Sequence, residues 1–108
     1  MVHNIIVTTA FEVPNKKIVN VLGIARGNTV RARNIGRDIG AGFKNLIGGE
    51  VKTYTEMTAQ SRDEAFNRMI NDAIKMEADA IIGFNFSTSM VMQGASEMLA
   101  YGTAVKIG

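Results

Sequence analysis

Apolar positions along this chain switch between a period of two and a period of three to four, and the switches mark its elements. Asn4 to Thr9 (NIIVTT) is rich in β-branched residues and predicts a short strand that ends near Pro14. Lys16 to Arg26 (KKIVNVLGIAR) predicts a second strand, with Val19, Val21, Gly23 and Ala25 on one face and Ile18, Asn20, Leu22 and Ile24 on the other. Both faces are largely apolar, which predicts a central strand or one covered on both sides. Gly27-Asn28 suits a turn.

Residues 33 to 50 then carry a helical stripe of Ile35, Ile39, Phe43, Leu46 and Ile47, ended by Gly48-Gly49. Gly36, Gly40 and Gly42 interrupt it. Three interior glycines cost about 2–3 kcal/mol relative to alanine. Close approach of another backbone would offset that cost. Lys52 to Met76 is helical again, with a stripe of Phe66, Met69, Ile70, Ala73 and Ile74. Thr53-x-x-Glu56 and Ser61-x-x-Glu64 both match a capping box, which leaves room for a break or bend between them; one long helix, with room for an irregularity near Thr58, is the favoured reading.

From Ala80 to Met92 the period returns to two. Ile82, Phe84, Phe86, Met90 and Met92 are expected to face the core, opposite Asn85, Ser87 and Ser89. Residues 93 to 96 suit a hairpin loop, and Glu97 to Ile107 a last strand. Leu99, Tyr101, Val105 and Ile107 share one face of that strand, and Ala100, Gly102 and Ala104 the other. The expected fold is α+β, in the order β-β-α-α-β-β, a mostly antiparallel sheet with both helices packed on it. The small-residue faces of the first helix and last strand read as oligomer contacts, which points to a symmetric ring.

Composition narrows this picture. The 108 residues form a single domain, 46% hydrophobic and 20% charged, within the globular range. No cysteine is present, which excludes disulfides, thiolate nucleophiles and thiolate metal sites and fits a cytoplasmic protein. No apolar run is long enough to span a membrane, and no signal-peptide pattern opens the chain. The formal charge of +2 is uneven: Arg26, Arg31, Arg33, Arg37 and Lys44 face a single acid, Asp38, between positions 26 and 44. Such a segment attracts an anion or complements an acidic neighbour.

Several elements together resemble a known family: Asn34-Ile-Gly-Arg-Asp38, Ala41-Gly42 with Gly48-Gly49, Tyr54, Arg62 with Ala65, Ala78-Asp-Ala-Ile-Ile-Gly83, and Gly102-Thr-Ala-Val105. Their order and spacing resemble the YbjQ-like family of small bacterial and archaeal proteins, labelled "putative heavy-metal-binding". The resemblance runs from the second strand to Lys106. It implies a dodecin-like subunit in a homopentamer and no established activity. One departure stands out: Glu77 precedes Ala78-Asp79 where similar sequences usually have glycine.

A metal site finds little support in the residues. One histidine, His3, and no thiolates cannot assemble a conventional zinc site. Thioethers suit Cu(I), and Met90, Met92 and Met98 flank the hairpin loop. With Met92 opposite Glu97, Met98 faces away from the other two; only Met92 opposite Ser96 gathers all three. Methionine is also a common filler of irregular cores. The basic segment is the stronger candidate. Repeated about a ring axis, Arg33 or Arg37 would hold phosphate or another small anion. The plainer alternative is that Arg37 pairs with Asp38 or Glu50 of a neighbour and fixes the assembly. Nucleic acid is disfavoured, because five phenylalanines and two tyrosines fall mostly at core-facing positions. Tyr54, Arg62 and Asp79 define a polar site near the helix ends, or Asp79 instead meets backbone amides and Arg62 an intersubunit partner. The expected protein is a non-enzymatic homo-oligomer with no cofactor identifiable from the residues. The alternative is an enzyme using Tyr54, Arg62 and Asp38 at a subunit interface.

Overall fold

A computed structural model describes residues 4–32, 50–92 and 95–108. Four strands form one sheet: β1 (Ile6–Val7), β2 (Ile18–Ala32), β3 (Ala80–Met92) and β4 (Ala95–Ile107), in the spatial order β1-β3-β4-β2. β4 runs antiparallel to both β3 and β2, whereas β1 runs parallel to β3, with Ile6 opposite Ala80. One helix, α1 (Glu50–Lys75), lies among the described residues. The expected order β-β-α-α-β-β in a mostly antiparallel sheet is therefore corrected to a mixed sheet with a single described helix. The first expected helix, at residues 33–49, falls outside the described residues. The second is one long helix, as expected, and it runs unbroken through Thr58, where the sequence leaves room for an irregularity.

The helix lies on the face of β2 and β4 that carries their smallest residues. Ala65, Met69, Ile70 and Ala73 of α1 are fully buried against Ala25, Ala100 and Ala104. Gly27 sits directly beneath them. A Cβ there would stand 2.6 Å from the Cβ of Arg68 and closer still to the backbones of Ala65 and Met69. The glycine read as a turn is thus the middle of a fifteen-residue strand, and it is small because a helix backbone rests on it. The small-residue face of β4, expected to meet another subunit, serves the same purpose inside this one.

Bulges reset the alternation of side chains. An irregularity between Ile82 and Asn85, with Gly83 at φ 61°, turns Ile82 to the opposite face from Phe84 and Phe86. Ile82 packs with Val13, Ala80 and Val105 in a second cluster. Phe84 stacks edge-on against Phe66 of the helix (centroids 5.4 Å apart) and against Phe86 (4.9 Å). Irregularities at 18/20 and 21/23 do the same in β2. β2 is an edge strand within this chain, not a central one, and Val19, Val21 and Ile24 are each more than 60% exposed.

Two turns show why particular residues stand where they do. Val13-Pro14-Asn15-Lys16 closes with a 3.1 Å bond from Lys16 N to Val13 O, with Asn15 at φ 64°. Proline then asparagine is what a type II turn requires. At the end of α1, Ala78 N donates to Ala73 O (3.1 Å) and Glu77 N to Ile74 O (3.0 Å), with Glu77 at φ 62°. This is a Schellman motif with a glutamate in the position that glycine usually fills. The substitution flagged in the sequence does not alter the helix end; it places a side chain in a left-handed conformation.

Candidate functional site

One polar flank of α1 lies along the outer edge of β2. Glu64, Arg68 and Asp72 follow each other at four-residue intervals, so they line one side of the helix. Glu64 Oε1 pairs with Arg31 Nη2 at 2.6 Å. Arg68 Nη1 donates to the Asn28 carbonyl at 2.6 Å, and Asp72 Oδ2 accepts from Arg26 N at 3.0 Å. Beneath them, buried Thr29 and Ser61 share a hydrogen bond of 3.2 Å, and Arg31 Nε donates to Ser61 Oγ at 3.3 Å. Asn28 Nδ2 also donates to Glu97 Oε2 at 3.1 Å. Four-residue spacing would let Glu64 and Arg68 pair with each other; the structure turns both to the strand. The three-residue stripe capping a strand edge was missed, because four-residue spacing reveals a shared helix flank but not what that flank meets.

The sequence candidates do not gather into one site among the described residues. Arg33, Arg37 and Asp38 lie outside them. Tyr54 and Arg62 are both on α1, eight residues or about 12 Å apart along its axis, and the described side chain, Arg62, is exposed. Asp79 lies beyond the far end of the helix, where Oδ2 accepts from Ile107 N at 3.1 Å. It meets a backbone amide, as its second reading expected. An open cavity of roughly 580 Å³ flanked by Glu12, Lys16 and Lys17 lies at the end of the sheet where β2 begins, away from Arg31.

The methionines divide. Met90 pairs with Ser96 and Met92 with Ala95 across a further irregularity. Residues paired across the ladder share a face, so Met90 and Met98 lie on one face and Met92 on the other. Met98 is buried in the main cluster, whereas Met90 is 77% and Met92 64% exposed. The expectation that Met90 and Met92 face the core is corrected: α1 covers β2 and β4 but not the distal half of β3. No group of three or more His, Asp or Glu residues within metal-binding reach occurs among the described residues. The donor set therefore does not fit a heavy-metal centre built by this chain's described part. No helix among the described residues is long and apolar enough to cross a membrane.

The YbjQ family model, described as "putative heavy-metal-binding", matches residues 5–108. A UPF0145 protein of Archaeoglobus fulgidus is 51% identical over 107 residues, covering 99% of each chain. Those of Thermotoga maritima (51% over 102 residues, 94% of this chain and 96% of the other) and Shewanella frigidimarina (48% over 103, 95% and 96%) are similar along nearly the whole length. The chain belongs to the YbjQ family of uncharacterised UPF0145 proteins. A crystal structure of a protein of unknown function from Pediococcus pentosaceus shares the fold, with a TM-score of 0.66 at 20% identity, covering 98% of this chain and all of that one.

Proposed function

We propose that this protein acts as a non-enzymatic homo-oligomer that binds a small anionic ligand where its copies meet. The observation that carries the reading is the apolar surface left open on one edge strand: Val19, Val21, Ile24 and Val30 of β2 are each more than half exposed. A lone subunit gains nothing from such an edge, which invites pairing with another chain. Its shape agrees. The radius of gyration is 17.3 Å, against about 13 Å expected for a compact chain of this length. Five copies is the number that the family resemblance implies.

The ligand class follows from charge. Of the five basic residues between positions 26 and 44, Arg31 is occupied by Glu64, and Arg33 and Arg37 are the candidates to hold an anion, with Asp38, Tyr54 and Arg62 contributing from the same or a neighbouring copy. A metal ion has less support, because the chain holds no cysteine and a single histidine, and its three hairpin methionines are split between two faces. Native mass spectrometry with and without inorganic phosphate, Zn(II) and Cu(I) tests the reading. An oligomer that takes up phosphate in fixed stoichiometry, and loses it in Arg37→Ala, supports it. An oligomer that takes up only metal would replace the anion with the family's label, and a monomer would defeat the proposal.

A further inference from the structure

The two edges of the sheet are not equally open, and the difference points to how copies meet. On β2, Asp72 and Arg68 occupy the outward Arg26 amide and Asn28 carbonyl, so the middle of that edge is closed. On β3, the β1 segment covers the outer edge as far as Phe84: Thr8 N donates to Ile81 O, Gly83 N to Ala10 O and Phe84 N to Thr8 O. The Phe86 amide is then taken by its own neighbour, Asn85 Oδ1, at 2.9 Å. Beyond these guarded positions, each outer strand has one end at which every residue is exposed. The stretch Ile18–Val21 begins β2 and the stretch Ser87–Met92 ends β3. They lie on opposite edges and at opposite ends of the sheet. Neither contains a charge or proline, the usual protections of a free edge.

We infer that these two stretches pair with each other between copies: the distal end of β3 in one subunit lies along the beginning of β2 in the next. This rests on the oligomeric reading above and names its contact. A second copy is the occupant because one contact of this kind, made head to tail, covers both stretches, whereas a two-fold contact of either with itself leaves the other open. The area is that of a small interface. Ile18, Val19, Val21, Met90, Val91 and Met92 are between 37% and 77% exposed, and each leaves on the order of 100 Å² to cover, so with the strand backbones the contact approaches the ~1,000 Å² of a specific interface. Main-chain bonds supply the attachment, and the flexible methionines fit against the β-branched side chains opposite.

Complementary variants separate the possibilities. Val19→Lys with Val21→Lys disables the β2 stretch, and Met90→Lys with Met92→Lys disables the β3 stretch. Size-exclusion chromatography with light scattering reads the wild type, each variant and an equimolar mixture, with circular dichroism checking that each variant is folded. The expected result is an oligomeric wild type, two monomeric variants, and a heterodimer in the mixture, since each variant retains the half that the other lacks. A wild-type monomer would overturn the oligomeric reading itself. A wild-type oligomer that survives either substitution, or variants that fail to join in the mixture, would overturn only this contact. Hydrogen exchange of the wild-type oligomer gives an answer independent of the variants. Amides of both stretches should be protected at least tenfold over those of a free edge, and protection of one alone would refute the pairing.

Discussion

Replacing Gly27 with alanine tests whether the helix rests on the strand as closely as described. A methyl group there has no flexible side-chain end to displace. Its neighbours are the Ala65 carbonyl, the Met69 amide and the Arg68 Cβ, the last at 2.6 Å. Ordinary contact needs about 3.4 Å or more, so α1 must recede by roughly 1 Å along its contact with β2. Ala65 and Met69, both fully buried, would lose part of their packing against Ala25 and Ala100. Overpacking of this kind costs about 1–3 kcal/mol, and a rigid backbone obstacle places it at the upper end. The short bonds from α1 to Asn28, Arg26 and Arg31 would be stretched as well. Alanine itself is slightly favoured over glycine within a strand, so the intrinsic term has the opposite sign. Urea unfolding followed by circular dichroism, at one fixed protein concentration, should show a loss of about 3 kcal/mol with an unchanged slope. In a thermal scan that corresponds to a drop of about 12 °C or more. A neutral or stabilising result would mean that Gly27 lies in a loose turn and that the helix does not sit where it has been placed.

Other substitutions probe single interactions. Glu77→Gly should raise stability by about 1 kcal/mol, because it removes the cost of a side chain at φ 62° in the Schellman position; a loss in the urea midpoint would contradict that motif. Ser61→Ala removes the buried hydroxyl shared by Thr29 and Arg31 and should cost about 1–2 kcal/mol, measured in the same unfolding assay. Glu64→Gln breaks an ion pair whose side chains are 44% and 39% exposed, so its effect should stay below about 1 kcal/mol and shrink further with added salt.

Much of the fold was legible in the pattern of residues, and the departures have identifiable causes. The strand Ala80–Met92 has the bounds that its alternation indicates, and α1 ends within a residue of its expected stop. The two faces of β4 are also as read. The side-chain directions of β2 and β3 were not legible, because each bulge shifts the alternation by one residue and nothing at Val19 in β2 or Val91 in β3 marks it. Gly83 is the exception, a glycine inside a strand pattern that does signal a bulge. Gly27 illustrates a deeper ambiguity: the same residue marks a turn and a close approach, and only the helix above it decides between them. Small residues on β4 misled in a related way, since they permit near contact without saying whether the contact is inside or outside the subunit. The buried stripe of α1 runs through Ala65, which a search for large apolar residues passes over, and leaves Ile74 at 45% exposure. Of the candidate site, the sequence contributes the basic segment. Its guarding of a strand edge by Glu64, Arg68 and Asp72 is a property of the packed helix alone.

Sedimentation of the unmodified protein at micromolar concentration asks whether the chain associates with its own copies. The expected result is a single species at a multiple of the 11.7 kDa chain mass, five-fold if the family resemblance sets the number. A species at 11.7 kDa alone would contradict it and leave the apolar edge of β2 without a partner of its own kind.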